Sequence, residues 1–216
     1  VALGIQPHQK VVLFSGTPRP HKGLLEVALA VQALKRDDII FMVAGSFGEK
    51  HMAFKAKLQA ITGVNYLFLE NQPLSALANT LAIADCCVLL QDVSHPGSTY
   101  QIPAKLSDAL AMRVPVIVSE TKALEEPIAA GAVIPTTASN LRYTLATTLE
   151  HPGHERLDIG HRFFLEYLSL GASKQQMSKV ISCDYGKALT IELKKIITFT
   201  IDKRLHLKEL DARASA

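Results

Sequence analysis

Six short runs between residues 10 and 136 are apolar at nearly every position, and they constrain this chain more than anything else in it. A strand with one wet face alternates apolar and polar residues, whereas a strand that is apolar throughout is covered on both faces. The runs are Val11-Val12-Leu13-Phe14, Ile39–Ala44, Tyr66–Leu69, Cys86–Leu90, Val116–Val118 and Ala132–Ile134. Between them lie stretches with helical spacing, clearest over 23–35, where Leu24, Val27, Ala28, Val31 and Leu34 recur. Further helices are expected over 49–60, over 74–83, from Pro103 as first helical residue to about Met112, and around Leu124 to Ala130. Regular alternation of buried strand and helix implies an α/β chain with a doubly wound parallel sheet. In such sheets ligands bind beyond the carboxyl ends of the strands, so the loops that follow strands are the ones to inspect.

The last third of the chain reads differently. Ser139 to Leu149 is expected to be a helix capped by Ser139, and His151-Pro152-Gly153 ends it. Helical pieces follow at 155–171 and 173–182, and residues 187–211 mix helical and β-branched signals. The organisation expected is a ligand-binding domain over 1–150 and a helical extension over 151–216, packed on that domain or on one outside this chain. Composition removes other classes. The 216 residues carry 23 Lys and Arg against 20 Asp and Glu, a net charge of +3, too small to argue for a nucleic-acid partner. Cys86 and Cys87 sit in an apolar run and Cys183 stands alone, so neither a disulfide framework nor a zinc site is indicated. The histidines lack ligand spacing and no metal is expected. With neither a leader-like start nor a run of about 18 apolar residues, the expected setting is cytoplasmic.

Two loops carry candidate chemistry. After the first strand comes Gly16-Thr17-Pro18-Arg19-Pro20-His21-Lys22-Gly23, which delivers the chain to a helix N-terminus. Cations there oppose the helix dipole unless an anion joins them, so Arg19 and Lys22 read as a phosphate site. Taken alone, the same residues make a solvated basic loop. After the fourth strand comes Pro103-Ala104-Lys105-Leu106-Ser107-Asp108, in which Lys105 and Asp108, three apart, share one helix face. A cation for phosphate beside a carboxylate for hydroxyls suits a nucleotide's diphosphate and ribose. The bland alternative is an intrahelical ion pair of small worth. Neither G-x-G-x-x-G after the first strand nor G-x-x-x-x-G-K-[ST] is present, which excludes the common dinucleotide and P-loop fingerprints.

In order, Gly16 to Gly23, Val43-Ala44-Gly45, Leu74 to Leu90 with Ala84-Asp85, and Pro103 to Ser119 with Asp108-Ala109-Leu110-Ala111 and Pro115-Val116 resemble a known family. They look like the C-terminal, donor-binding, Rossmann-like half of a retaining GT-B glycosyltransferase of group 1, or family 4, over about residues 10–150. The resemblance implies a nucleotide-diphosphate sugar as donor substrate, with no cofactor and no metal. It implies that Gly16, Arg19, Lys22 and Lys105 hold the diphosphate and that Asp108 holds the ribose. The loop Glu70, Asn71, Gln72 would lie near the base, and His95, Gly97, Ser98, Thr99 and Tyr100 would face the sugar. The partners implied are a missing N-terminal GT-B domain and a glycan or lipid-linked acceptor. A basic face at Lys194-Lys195 and Lys203-Arg204 keeps the inner membrane face as a weaker alternative location.

The chain also departs from the family pattern. The family often has two glutamates with seven residues between them; Asp108 stands at the second position and Tyr100, eight positions earlier, replaces the first acid. A glycine common before the Pro-Val step is replaced around Arg113 and Val114, and Thr17 stands where an Arg is usual. No catalytic residue is assigned. Two functions are carried forward: the donor domain of a hexosyl-type transferase, inactive without its other half, and a non-catalytic nucleotide-binding or assembly domain that kept the fold.

Overall fold

The computed structural model describes residues 3–70, 73–92 and 100–182. Six strands form one parallel sheet: β1 (Lys10–Ser15), β2 (Ile39–Ala44), β3 (Asn65–Leu69), β4 (Cys86–Leu89), β5 (Val116–Ser119) and β6 (Ile134–Thr136). Their order is β3-β2-β1-β4-β5-β6. Val12 in the middle of β1 pairs with Phe41 on one side and Cys86 on the other. The chain thus reverses its direction of travel across the sheet between β1 and β4, and this is the switch point of a doubly wound fold.

The four inner strands β1, β2, β4 and β5 are buried on both faces because helices cover both, whereas the edge strands β3 and β6, expected to be equally covered, are mostly half-buried because each has a neighbour on one side only. One layer holds α1 (Leu24–Leu34), α2 (Met52–Gln59) and α6 (Leu141–Glu150). Leu24, Val27, Val31, Leu58, Leu141 and Leu145 pack there on Val12, Phe41 and Val88. The other holds α3 (Leu77–Ala82), α4 (Ala104–Ala111), α5 (Glu125–Ala129) and α7 (His154–Phe163). Leu81, Leu106, Leu110 and Phe163 pack there on Leu13, Met42 and Val118. Cys86 faces the first layer and Cys87 the second. Both are buried free thiols. Burial, with a smaller push from the Asp108 charge, raises the Cys87 thiol to about 12, and burial raises Cys86 well above the ordinary thiol value.

Asp85, just before β4, clamps the two central strands. Its backbone N–H donates to the Val11 carbonyl at 2.9 Å. Its carboxylate accepts the Val11 N–H at 2.8 Å and the Lys10 ammonium at 2.9 Å.

The structure corrects several expectations. The sixth strand begins at Ile134, not Ala132, because Gly131 at φ +71 turns the chain and the Ala132 N–H still closes α5 on the Pro127 carbonyl. Pro103 stands one position before α4, with extended backbone (ψ 125), not inside its first turn. Ser139 caps nothing: its hydroxyl meets the Thr137 hydroxyl at 3.0 Å, and Asn140 precedes α6 without a side-chain cap bond. The first compact unit runs to Leu168: α7 buries Phe163 in the second layer and sets Gly160 against Leu110 and the Ala132 carbonyl. Residues 164–168 continue α7 as a wider π-helical turn. A second unit begins at Ser169 and contains α8 (Leu170–Ser182). Residues 187–211 and Cys183 lie outside the described residues. No helix among the described residues is long and apolar enough to cross a membrane.

Candidate functional site

The site is built at the carboxyl edge of the sheet, where the strand ends step into glycines. The Gly16 N–H donates to the Ala44 carbonyl and the Gly45 N–H to the Leu69 carbonyl, each at 2.9 Å. Gly45 has φ +153, and a Cβ there would lie 2.0 Å from the Gly16 carbonyl oxygen. The loops after β1 and β2 are therefore stacked backbone on backbone. From the other layer, the Lys105 stem reaches Gly16: a Cβ on Gly16 would stand 4.0 Å from Lys105 Cγ. The two cation-bearing loops singled out in the sequence thus meet at Gly16.

The charged groups have partners within the chain. Lys105 Nζ lies 3.1 Å from Asp108 Oδ2, so the helix face carries an ion pair with both members about one-third exposed (36% and 33%). Lys22 Nζ folds back to donate to the Thr17 carbonyl at 3.1 Å. Burial, and then the charge of Arg19, pushes the Lys22 ammonium below the ordinary lysine value. Arg19 donates to the ring of His51, the residue that leads into α2. Two cations in one short loop, one of them desolvated, form an arrangement that an anion stabilises.

A cleft of about 610 Å³ opens beside this loop, at the switch point between β1 and β4. Its size suits a small organic ligand. Pro20, His21, Gly23 and Glu26 line it from the β1 side, and Leu90, Gln91 and Asp92 from beyond β4. Ser119, Glu120, Thr136, Thr137 and Ala138 complete it from the ends of β5 and β6. The Asp92 N–H donates to the His21 carbonyl at 2.9 Å and ties the two loops together. The Gln91 N–H donates to Ser119 Oγ at 3.0 Å, while its buried Oε1 has no partner. Gly23, at φ +69, forms the wall: a Cβ there would lie 2.4 Å from Leu90 Cβ.

The expected residues divide into three sets. Gly16, Arg19, Lys22, Lys105 and Asp108 are brought to one edge of the sheet, but Arg19, Lys22, Lys105 and Asp108 do not line the cleft. Glu70 follows β3 directly and is exposed, and Tyr100 is 81% exposed ahead of α4. Asn71, Gln72, His95, Gly97, Ser98 and Thr99 lie outside the described residues. The sequence reading missed Glu26, Gln91, Ser119, Glu120, Thr136 and Thr137. All but Glu26 belong to the polar pairs Gln91-Asp92, Ser119-Glu120 and Thr136-Thr137 that follow apolar runs, and that position was the one signal available for them. Among the described residues no three His, Cys, Asp or Glu side chains gather as a metal site.

The sequence matches the family model of the glycosyl transferases group 1 over residues 1–157. The chain belongs to the group 1 glycosyl transferases. A search of the curated proteins gave no match. Solved structures share the fold at low identity. Sucrose-phosphate synthase from Thermosynechococcus elongatus is 17% identical, with a TM-score of 0.68 over 82% of this chain and 46% of that one. Anabaena HepE is 18% identical, with a TM-score of 0.66 over 83% of this chain and 50% of that one. The UDP-forming trehalose-phosphate synthase from Burkholderia xenovorans is 14% identical, with a TM-score of 0.61 over 82% of this chain and 44% of that one. The chain spans about half the length of these proteins.

The replaced glycine before Pro115-Val116 has a structural counterpart. Arg113 ends α4 in the left-handed region, at φ +55, where a glycine costs least. Its guanidinium pairs with Asp158 of α7 at 2.7 Å.

Proposed function

We propose that this chain is the donor-binding half of a larger glycosyltransferase and that its sheet edge holds a nucleotide-diphosphate sugar. The observation that carries this is the meeting of Lys105 with the Gly16 loop, in a chain of the group 1 family. In the reading, Arg19, Lys22 and Lys105 take the diphosphate, and Asp108 releases Lys105 to accept the ribose hydroxyls. Glu70, with Asn71 and Gln72, lies toward the base, and the 95–100 loop lies toward the sugar. Fixed cations at the departing diphosphate stabilise charge as the glycosidic bond breaks. Anabaena HepE in complex with UDP-glucose supports a donor of this class. The finer reading is a hexosyl transfer with retention, without metal, to a glycan or lipid-linked acceptor. It takes place in the cytoplasm or at the inner membrane face and is completed by a second GT-B domain.

Calorimetric titration of the chain with UDP, GDP and ADP tests the reading. At least one is expected to bind, and Lys22→Ala and Lys105→Ala are each expected to weaken it about tenfold, the worth of one charge-assisted hydrogen bond. No binding of any at millimolar concentration overturns the donor site. Tyr100, exposed in place of an acid, favours a second reading: a domain that binds nucleotide without transfer. Sugar transfer by the chain joined to its other domain would refute that one, and turnover by this chain alone would refute the two-domain requirement.

A further inference from the structure

We propose that the cleft at the ends of β4, β5 and β6 is a second binding site and that it takes a neutral, hydroxyl-rich ring, a saccharide unit. The lining is wrong for a diphosphate. Arg19, Lys22 and Lys105 do not line the cleft, and among the described residues no lysine or arginine does. Three carboxylates do: Glu26 from the first turn of α1, Asp92 from beyond β4 and Glu120 from beyond β5. The feature there that would draw an anion is the N-terminus of α1, and Glu26 already sets a negative charge against it. A phosphate in this cleft would meet like charges with no fixed cation to offset them. The carboxyl edge of the sheet thus has a basic part around Gly16 and an acidic part beyond β4 and β5.

A ligand here must donate hydrogen bonds, because ionised carboxylates only accept them. A cation and a polyol both do so, and the placement of the acceptors decides between them. The three carboxylates line one cleft from three different elements, yet among the described residues no three His, Cys, Asp or Glu side chains converge as they would on a metal ion. Acceptors spread around a cavity match hydroxyls spread around a ring. Among the described residues neither Glu26 nor Glu120 has an ion-pair partner, so both keep their lone pairs for a ligand. The other walls agree. Ser119 Oγ accepts the Gln91 N–H at 3.0 Å and keeps its own hydrogen to donate. Gln91 Oε1 is closed off without a partner, and the last torsion of a glutamine is soft, so a hydroxyl in the cleft can draw that oxygen out. Pro20, Leu90 and Ala138 supply apolar surface for the C–H face of a ring. The volume of about 610 Å³ holds such a ring with room for a neighbour. The Asp92–His21 backbone bond and the contact between the Thr136 and Thr144 hydroxyls, each 2.9 Å, hold the walls in place.

The ring can belong to the donor sugar itself or to a separate saccharide, and the test separates the two. Backbone amide signals of the full, isotope-labelled chain are followed by NMR while glucose, galactose, mannose, N-acetylglucosamine, maltose and lactose are titrated to high millimolar concentration. At least one is expected to shift the signals of Gln91, Ser119, Glu120 and Thr137. Glu26→Ala and Glu120→Ala are each expected to weaken that binding about tenfold, the worth of one hydrogen bond to a charged group. Both side chains are exposed, so their loss should leave the fold intact. Glu155→Ala, which removes an exposed carboxylate on α7 outside the cleft, should bind like wild type, and inorganic phosphate should not compete. Repeating the titration in the presence of UDP or UDP-glucose names the source. Displacement by UDP-glucose but not by UDP means that the donor's own sugar fills the cleft, whereas a saccharide that stays bound beside UDP-glucose is a separate one; either result supports the inference. No shift at these residues with any of the sugars, displacement by UDP alone or by phosphate, or wild-type affinity in either glutamate variant overturns it while leaving the donor site standing. If sugars bind and no nucleotide does, the cleft stands and the donor reading fails.

Discussion

Replacing Gly23 by alanine tests how firmly the mouth of the cleft is built. Two costs add. The backbone sits at φ +69, where a Cβ costs about 1–2 kcal/mol. The added methyl would also stand 2.4 Å from Leu90 Cβ and 3.0 Å from its Cδ1, and Leu90 is buried at 8% exposure, so it has little room to retreat. Forcing one extra carbon into a packed site costs about 1–3 kcal/mol. The expected loss is about 3 kcal/mol, a large share of a typical domain's stability of about 5–15 kcal/mol. With a slope of about 2 kcal/mol per molar urea, the unfolding midpoint should fall by about 1.5 M. Gly63→Ala is the control: φ is +71 but nothing lies within 4 Å of the added carbon. It should cost only the backbone term, about 1 kcal/mol or a little more. Equal midpoints for the two variants would refute the reasoning, because they would mean that Leu90 yields freely.

Other perturbations follow from contacts already described. Asp85→Ala should destabilise by about 2 kcal/mol, since it strips the buried Val11 N–H of its acceptor; urea unfolding that matches wild type would show that water replaces the carboxylate. Arg113→Gly should be more stable than Arg113→Ala by about 1 kcal/mol, because both lose the Asp158 pair while only alanine keeps a side chain at φ +55; the reverse order of melting temperatures would sink that account. Binding by the Lys22 and Lys105 variants completes the set.

The layers of the fold were legible because each buried strand announces itself without help from its neighbours. Val11 to Phe14 and Ile39 to Ala44 need no context to read as covered on both faces. The ends of elements were less legible, since they depend on single hydrogen bonds. Ala132 looks like a strand residue by its apolarity, and only its bond back to Pro127 shows that the helix has not finished. Ser139 has the chemistry of a cap but spends its hydroxyl on Thr137. The reach of the first unit was hidden because α7 has an amphipathic pattern that does not say which surface it covers. At the site, cations in loops after strands were visible, and their convergence on Gly16 was an inference from topology. The pairing of Arg19 with a histidine 32 residues away, and the polar lining beyond β5 and β6, join residues that are remote in sequence. Nothing local marks such pairs.

The contact between Gly45 and Gly16 bears on how this edge can be remade. With 2.0 Å between a would-be Cβ and a carbonyl oxygen, neither loop has slack of its own. A phosphate loop grafted from a related enzyme will seat only if the turn after the neighbouring strand comes with it, and a library that randomises one of the two alone will return mostly misfolded clones. The transplantable unit is the pair of strand ends, with Gly16 and Gly45 carried together as a single part.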